Sequence, residues 1–147
     1  MSPQKKDAMR HEAMAVFTHL QLVFVAVLML SSQLDFAKAA VVLSGLKGSN
    51  LPGDALGNKP DPYVKIWCGS SSVVTGYFKN NANPSWDAEY YLSGCVSRNT
   101  IRLEVWDKDA KYDDRIGSYS GTVASGTNNK VSFSVGKGTM SFKYDVK

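Results

Sequence analysis

The sequence predicts an all-β sandwich, preceded by a segment that is not part of it. Three observations carry this. From Ala40 onward, short runs of alternating apolar and polar residues are separated by Gly, Ser, Asn and Pro, with no useful helical periodicity. Before Ala40 the composition differs, with Lys5, Lys6 and Arg10 ahead of the apolar run 22–30 and then Ala37-Lys38-Ala39. The 147 residues leave room for one domain with a modest core.

The N-terminal segment has a charged region, a short apolar region and an A-x-A site. It predicts a secretory signal peptide over 1–39, cut after Ala39 and delivering a secreted, extracellular product. The alternative is a transmembrane anchor, for which the apolar run is well short of the ~20 residues a span needs. The charged region is long, so Met9 or Met14 is an alternative start. Residues 40–147 form a single domain of 108 residues. They keep 13 of the 17 Lys/Arg and 10 of the 13 Asp/Glu, a net charge of +3. That balance, without a Lys/Arg run, gives no case for nucleic acid. Both histidines, His11 and His19, lie in the leader. A domain without His has no Ser-His or Cys-His nucleophile and no His-ligated zinc, so it is not expected to be an enzyme.

Eight strands are read in order. Residues 41–46 form the first, and 63–68 the second, with Val64 and Ile66 on the core side. Gly69 to Ser72 turns the chain into a third near 73–79. The turn-rich 80–85 leads to a fourth around 86–92, and a connector holding Cys95 leads to a fifth at 100–106. Residues 115–122 form the sixth, 131–135 the seventh and 140–146 the eighth, whose alternation is the cleanest. The loop 48–62 is long for one without structure of its own, which usually marks function.

The organising stretch is Trp106-Asp107-Lys108-Asp109-Ala110-Lys111-Tyr112-Asp113-Asp114. Residues two apart on a strand share a side, so Asp107 and Asp109 present two carboxylates together, and Asp113 and Asp114 return after a short loop. Unit charges 4 Å apart repel by roughly 4 kcal/mol at an effective dielectric near 20. A cation relieves that repulsion, and hard oxygen donors without His or Cys favour calcium; the bland alternative is a solvated acidic turn. Up-and-down strands put every second connection at the same end of the sandwich. Loops 48–62, 80–85 and 107–114 therefore share one end, and Asp54 and Asp61 join the acidic cluster there. The same parity sends Cys68 and Cys95 to the opposite end, where a secreted chain would bridge them; the alternative is a buried free Cys68.

These residues resemble a C2 domain. The resemblance rests on Asp61-Pro62-Tyr63-Val64-Lys65, on Asn83-Pro84-Ser85-Trp86, and on Val105-Trp106-Asp107-Lys108-Asp109 followed by Asp114-Arg115-Ile116-Gly117. Within the family the chain is most similar to perforin's C-terminal C2 domain, through Asn80 to Trp86 and the doubled Asp113-Asp114, although 108 residues leave no room for a pore-forming domain. The resemblance implies an eight-stranded antiparallel Greek-key β-sandwich whose loops at one end bind calcium and then dock reversibly on phospholipid. The implied ligands are Asp54, Asp61, Asp107, Asp109 and one of Asp113 and Asp114; the implied membrane contacts are Tyr112 with Leu51 or Leu56. Trp67 and Trp106 are expected as wall residues, Trp86 as a loop anchor, and Lys65 and Lys79 as a solvated face or one for anionic lipid. The expected form is a monomer, with a pore-former as one protein partner that fits. The competing function is a calcium-stiffened module gripping a protein or glycan.

Overall fold

The computed structural model describes residues 3–147, with the side chains of residues 30–38 outside the described set. Apart from Ala39, the expected cleavage motif Ala37-Lys38-Ala39 lies outside it. The chain divides into two units, Met1–Ala37 and Lys38–Lys147. The first carries helix α1 (Pro3–Lys38). Proline suits its first position, because the missing N–H has no intrahelical partner there in any case. The stretch Pro3–Met29 is long and apolar enough to cross a membrane, with every described side chain exposed. The apolar run 22–30 continues helically back through Val16 and Phe17, so the argument from shortness against an anchor does not hold. A signal sequence near the N-terminus has the same features.

The second unit is the expected β-sandwich. Its strands are β1 (Ala40–Ser49), β2 (Pro62–Cys68), β3 (Ser71–Val74), β4 (Ser85–Trp86), β5 (Tyr90–Ser93), β6 (Thr100–Asp107), β7 (Asp114–Thr122), β8 (Asn129–Val135) and β9 (Gly138–Val146). One sheet runs β4-β1-β9-β8, with β5 also on β1, and the other runs β3-β2-β6-β7; every pairing is antiparallel. The first strand thus lies between the fourth and the last.

The expected fourth strand is divided in two by a local cause. The register of β1 shifts between Ser44 and Lys47, where Gly45 takes a φ of 60° that favours glycine. On one side of the bulge, residues 40–43 pair with β5; on the other, Leu46 and Lys47 pair with β4. The third strand is shorter than its sequence suggests and ends at Val74. Beyond it Thr75 still exchanges bonds with Val64: its N–H donates to the Val64 carbonyl and its hydroxyl oxygen accepts from the Val64 N–H, both at 2.9 Å.

Alternating side chains from the two sheets meet in one core. Val41, Leu43 and Leu46 face Val64, Ile66, Ile101, Leu103 and Val105, and Met140, Phe142 and Tyr144 close it from β9. Trp86 is buried against this core and donates its indole N–H to the Gly76 carbonyl at 2.8 Å, which anchors its loop as expected. At one end Cys68 and Cys95 form the expected disulfide, Cα atoms 5.4 Å apart and both buried.

Candidate metal centre

The opposite end gathers the three connections that strand parity assigns to it. Leu51 N–H bonds the Ala82 carbonyl at 2.9 Å, Asn81 N–H bonds that of Pro60 at 2.8 Å, and Lys108 N–H bonds that of Asp61 at 3.0 Å. The loop after β1 folds back on itself at Gly53, where any Cβ would stand 1.6 Å from the Asn58 carbonyl oxygen. That position admits only glycine.

The carboxylates of this end accept hydrogen bonds from the loops that carry them. Asp54 accepts from the N–H groups of Leu56 and Asn58 and from the Asn58 amide at 3.0 Å. The Asn58 amide is the main reason its pKa lies below the ordinary value. Asp61 accepts from Asn80 N–H at 2.7 Å. Asp107, at the end of β6 and buried, accepts from Asp61 N–H at 2.6 Å. Asp113 accepts from Tyr63 O–H at 2.7 Å and from Asp109 N–H at 3.0 Å. The Tyr63 bond chiefly lowers its pKa, while burial and then Asp113 push the Tyr63 phenol up to about 12. Asp114 opens β7 as an exposed residue paired with Asp107.

Among the described residues, no three His, Cys, Asp or Glu side chains stand together as a ready-made metal shell. The donor chemistry nevertheless fits calcium. Burial pushes the Asp107 carboxyl up, the Asp61 N–H opposes that, and the charges of Asp109, Asp61 and Asp54 push it further up. A buried carboxylate under the charge of three others, all oxygen donors, is an electrostatic deficit that a hard cation would relieve. Asp107, Asp61, Asp109 and Asp54 are the residues that would hold it. Asp113 would have to release Tyr63 or share its oxygens.

The expected membrane contacts divide. Leu56 and Tyr112 are 89% and 74% exposed on the loops beside the carboxylates. Leu51 is a correction: it is 2% exposed, part of the core and packed where Gly48 and Met140 meet. An apolar residue directly after a strand end continues the core, whereas Leu56 lies beyond the Asp54 turn.

Strand alternation on β2 and β6 also holds a charged and aromatic network outside the acidic loops. On the outer face of their sheet Tyr63 pairs with Trp106, Lys65 with Glu104 and Trp67 with Arg102. The Lys65 ammonium lies 4.1 Å from the Trp106 ring centre, and the Arg102 guanidinium lies 5.2 Å from that of Trp67. Trp67 and Trp106 are half-buried wall residues, as expected. Glu104, charged yet buried, accepts from Arg102, from Arg115 at 3.1 Å and from the Trp106 indole at 3.0 Å. The signal for this was legible, since positions 102, 104 and 106 share one side of β6.

Burial alone would push the Glu104 carboxyl up, but the bonds from Trp106, Arg102 and Arg115 outweigh it and leave the pKa below the ordinary value of 4.5. Both arginines are half exposed, so solvent screens the pairs. Glu104→Gln is expected to cost about 1–2 kcal/mol at neutral pH. A carboxylate with a lowered folded pKa contributes stability above about pH 4.5 and loses it as pH falls through the folded value. Melting curves at stepped pH should therefore show the gap to the variant closing in acid; a constant gap would mean the charge does not contribute.

A profile of the C2 domain family matches residues 40–135, so the chain belongs to the C2 domain family. A solved C2 domain superposes with a TM-score of 0.68 at 32% identity, covering 74% of this chain and 98% of its own. The first C2 domain of a plant extended synaptotagmin 1 does so at 0.65 with 18% identity over 74% of this chain and 94% of its own, a likeness of fold. Among curated proteins, GTPase activating protein 1 of Oryza sativa subsp. indica is 40% identical over 58 residues, 40% of this chain and 35% of the relative. A calcium-dependent lipid-binding protein of Arabidopsis thaliana is 32% identical over 79 residues, 52% of this chain and 16% of the relative. The chain thus matches about a third or less of the length of these relatives.

Proposed function

We propose that this C2 domain is a non-enzymatic module that binds calcium at its acidic loop end and then docks reversibly on phospholipid, on the extracytoplasmic side of a membrane. The observation that carries this is the buried Asp107, acted on by the charges of Asp109, Asp61 and Asp54, with the exposed Leu56 and Tyr112 on the loops that carry these carboxylates. A bound ion would neutralise the cluster, remove repulsion from lipid phosphates and offer them open coordination positions. The lipid binding named for the Arabidopsis relative is in keeping with this. The absence of histidine from residues 40–147 supports the non-enzymatic part.

The Cys68–Cys95 bridge supports an oxidising compartment. Lys5, Lys6 and Arg10 precede the apolar helix, and such a bias keeps that end cytoplasmic and sends the following domain across. The placement is therefore the same for a cleaved leader and for a retained anchor. The finer likeness to perforin's C2 domain rests on Asn80 to Trp86 and Asp113-Asp114, and a pore-former as partner rests on that likeness. The second reading is a calcium-stiffened grip on a protein or glycan. It is favoured by carboxylates that already hold the loops together through N–H donors.

Vesicle flotation separates the two readings. The protein should bind phospholipid vesicles more tightly in calcium than in chelator, both arms using the same preparation so that any contribution of α1 cancels. Withdrawing about 60 Å² of the Tyr112 ring from water at about 25 cal/mol per Å² is about 1.5 kcal/mol, so Tyr112→Ala should weaken vesicle binding about tenfold. Its calcium-induced melting shift should stay intact. Equal flotation with and without calcium would reject membrane docking and leave the grip.

A further inference from the structure

The loop between β6 and β7 is fixed at its entry and again near its exit. At the entry Lys108 N–H bonds the Asp61 carbonyl at 3.0 Å, and the Asp107 carboxylate accepts from Asp61 N–H at 2.6 Å. Near the exit Asp113 Oδ1 accepts from Asp109 N–H at 3.0 Å, which closes the turn 109–113 on itself. Asp113 Oδ2 accepts from the Tyr63 hydroxyl at 2.7 Å, which pins the closed turn to β2. The Tyr63 ring is buried, so its hydroxyl has little freedom to follow a moving loop.

The surroundings of Asp113 differ from those of the other carboxylates. Each of its oxygens already has a donor. Register pairs Asp114 with Asp107, and Trp106 with both Tyr63 and Arg115. Asp114 therefore follows the side of Asp107, while Asp113 turns to the outer face of the sheet, where Tyr63 meets it. There Asp113 and Tyr63 line one small pocket with Lys65 and Lys108, so the charges beside it are positive. Asp107 instead stands under the negative charges of Asp109, Asp61 and Asp54. A cation relieves a carboxylate among carboxylates; a carboxylate among N–H, O–H and ammonium groups has no such deficit.

We propose that Tyr63 is a positioning residue for the calcium loop: its hydroxyl holds Asp113 as a tie that is not itself a ligand, and so presets where Asp109 and Tyr112 stand. This rests on the calcium reading above. Asp109 and Tyr112 both lie within the turn that Asp113 closes, one toward the ion and the other, 74% exposed, toward lipid. A loop ordered before the ion arrives does not charge its ordering entropy to the affinity. The opposite arrangement, in which the ion draws Asp113 away from Tyr63, makes the hydroxyl a competitor of calcium. The two arrangements differ in the sign of one substitution.

Tyr63→Phe keeps the ring and removes only the hydroxyl. Asp113 is half-buried, so water replaces the lost donor and the fold survives with a midpoint a few degrees lower. The full chain in non-ionic detergent is first given a short trypsin pulse in chelator. Freed from β2, the turn should be cut after the exposed Lys111 about fivefold faster than in the parent. Calcium is then titrated by calorimetry, where Tyr63→Phe should weaken binding about fivefold. Asp113→Ala should do the same, and the double variant Tyr63→Phe/Asp113→Ala should be no worse than either. Asp113→Asn should bind within about twofold of the parent, because the amide keeps an oxygen for Asp109 N–H and an N–H for the Tyr63 oxygen. Asp109→Asn, which removes a ligand, should cost at least tenfold. Tighter calcium binding by Tyr63→Phe, or an Asp113→Asn as costly as Asp109→Asn, would make Asp113 a ligand and overturn the proposal. A Tyr63→Phe that melts lower with an unchanged Kd would leave the hydroxyl a structural role alone, which also overturns it. A parent that takes up no calcium rejects the calcium reading and this proposal with it, a result distinct from a parent that binds and a variant that binds equally.

Discussion

Reduction of the Cys68–Cys95 bridge, or its replacement by Cys68→Ser/Cys95→Ser, is expected to lower the melting temperature by about 15–20 °C. The two cysteines are separated by 27 residues. Closing a loop of that length in the unfolded chain removes chain entropy worth about 3.5 kcal/mol at 25 °C in the loop-closure account. For a domain near 100 residues each kcal/mol moves the midpoint by roughly 4–8 °C. The native side adds to this, because both sulfurs sit in the core and the serine hydroxyls would need partners there. The bridge fixes the end of β2 to the connector after β5, at the end away from the acidic loops. The variant that still folds should therefore keep its calcium response at temperatures where it remains native. Scanning calorimetry of the oxidised, reduced and doubly substituted forms measures all of this. A midpoint unmoved by reduction, or two titratable thiols in the native protein, would mean that the bridge is absent in solution.

The sandwich was legible in the sequence because its two periodicities are clean. Residues 62–68 and 100–107 place alternate apolar side chains inside, and the turns between strands carry Gly, Asn and Ser where the chain reverses. Parity of connections then brought Asp61 to Asp107 and Cys68 to Cys95 without any coordinate. What escaped was set by register and by local partners, neither of which periodicity records. The bulge at Gly45 divided the expected fourth strand, and its position follows from how β1 satisfies two partners at once. Leu51 lies in an irregular stretch, where nothing in the alternation says whether an apolar residue points to the core or to solvent; Gly48 beside it makes the space that takes it in. Glu104 stands on the polar side of the β6 alternation, and its burial appears only when Arg102, Arg115 and Trp106 are seen to cover it. The same holds for the carboxylates. The sequence states their number, and the loops decide that Asp54 and Asp113 spend oxygens on Asn58 and Tyr63.

Asp107→Asn is expected to raise the melting temperature of the calcium-free protein by a few degrees and to abolish most of the rise that calcium produces in the parent. Asp107 is where the two effects meet. Its carboxylate is buried, and the charges of Asp109, Asp61 and Asp54 all act on it, so removing its charge relieves the folded state more than the unfolded chain. The one structural bond it makes, from Asp61 N–H, can be kept by the asparagine carbonyl oxygen. The same substitution takes a charged ligand from the centre of the donor set. A ligand bound at a hundredfold excess over Kd stabilises a fold by about 2.7 kcal/mol, or roughly 10–15 °C here, and extracellular modules bind calcium at about 10⁻⁴–10⁻³ M. The parent and the variant should therefore exchange order, the variant melting higher in chelator and the parent higher in millimolar calcium. Magnesium, smaller and strict in its octahedral geometry, should produce little of the shift. A variant that is less stable in chelator would mean that the carboxylate serves structure alone. A parent that melts at one temperature in calcium and in chelator would remove the metal centre, and with it the calcium step in membrane docking.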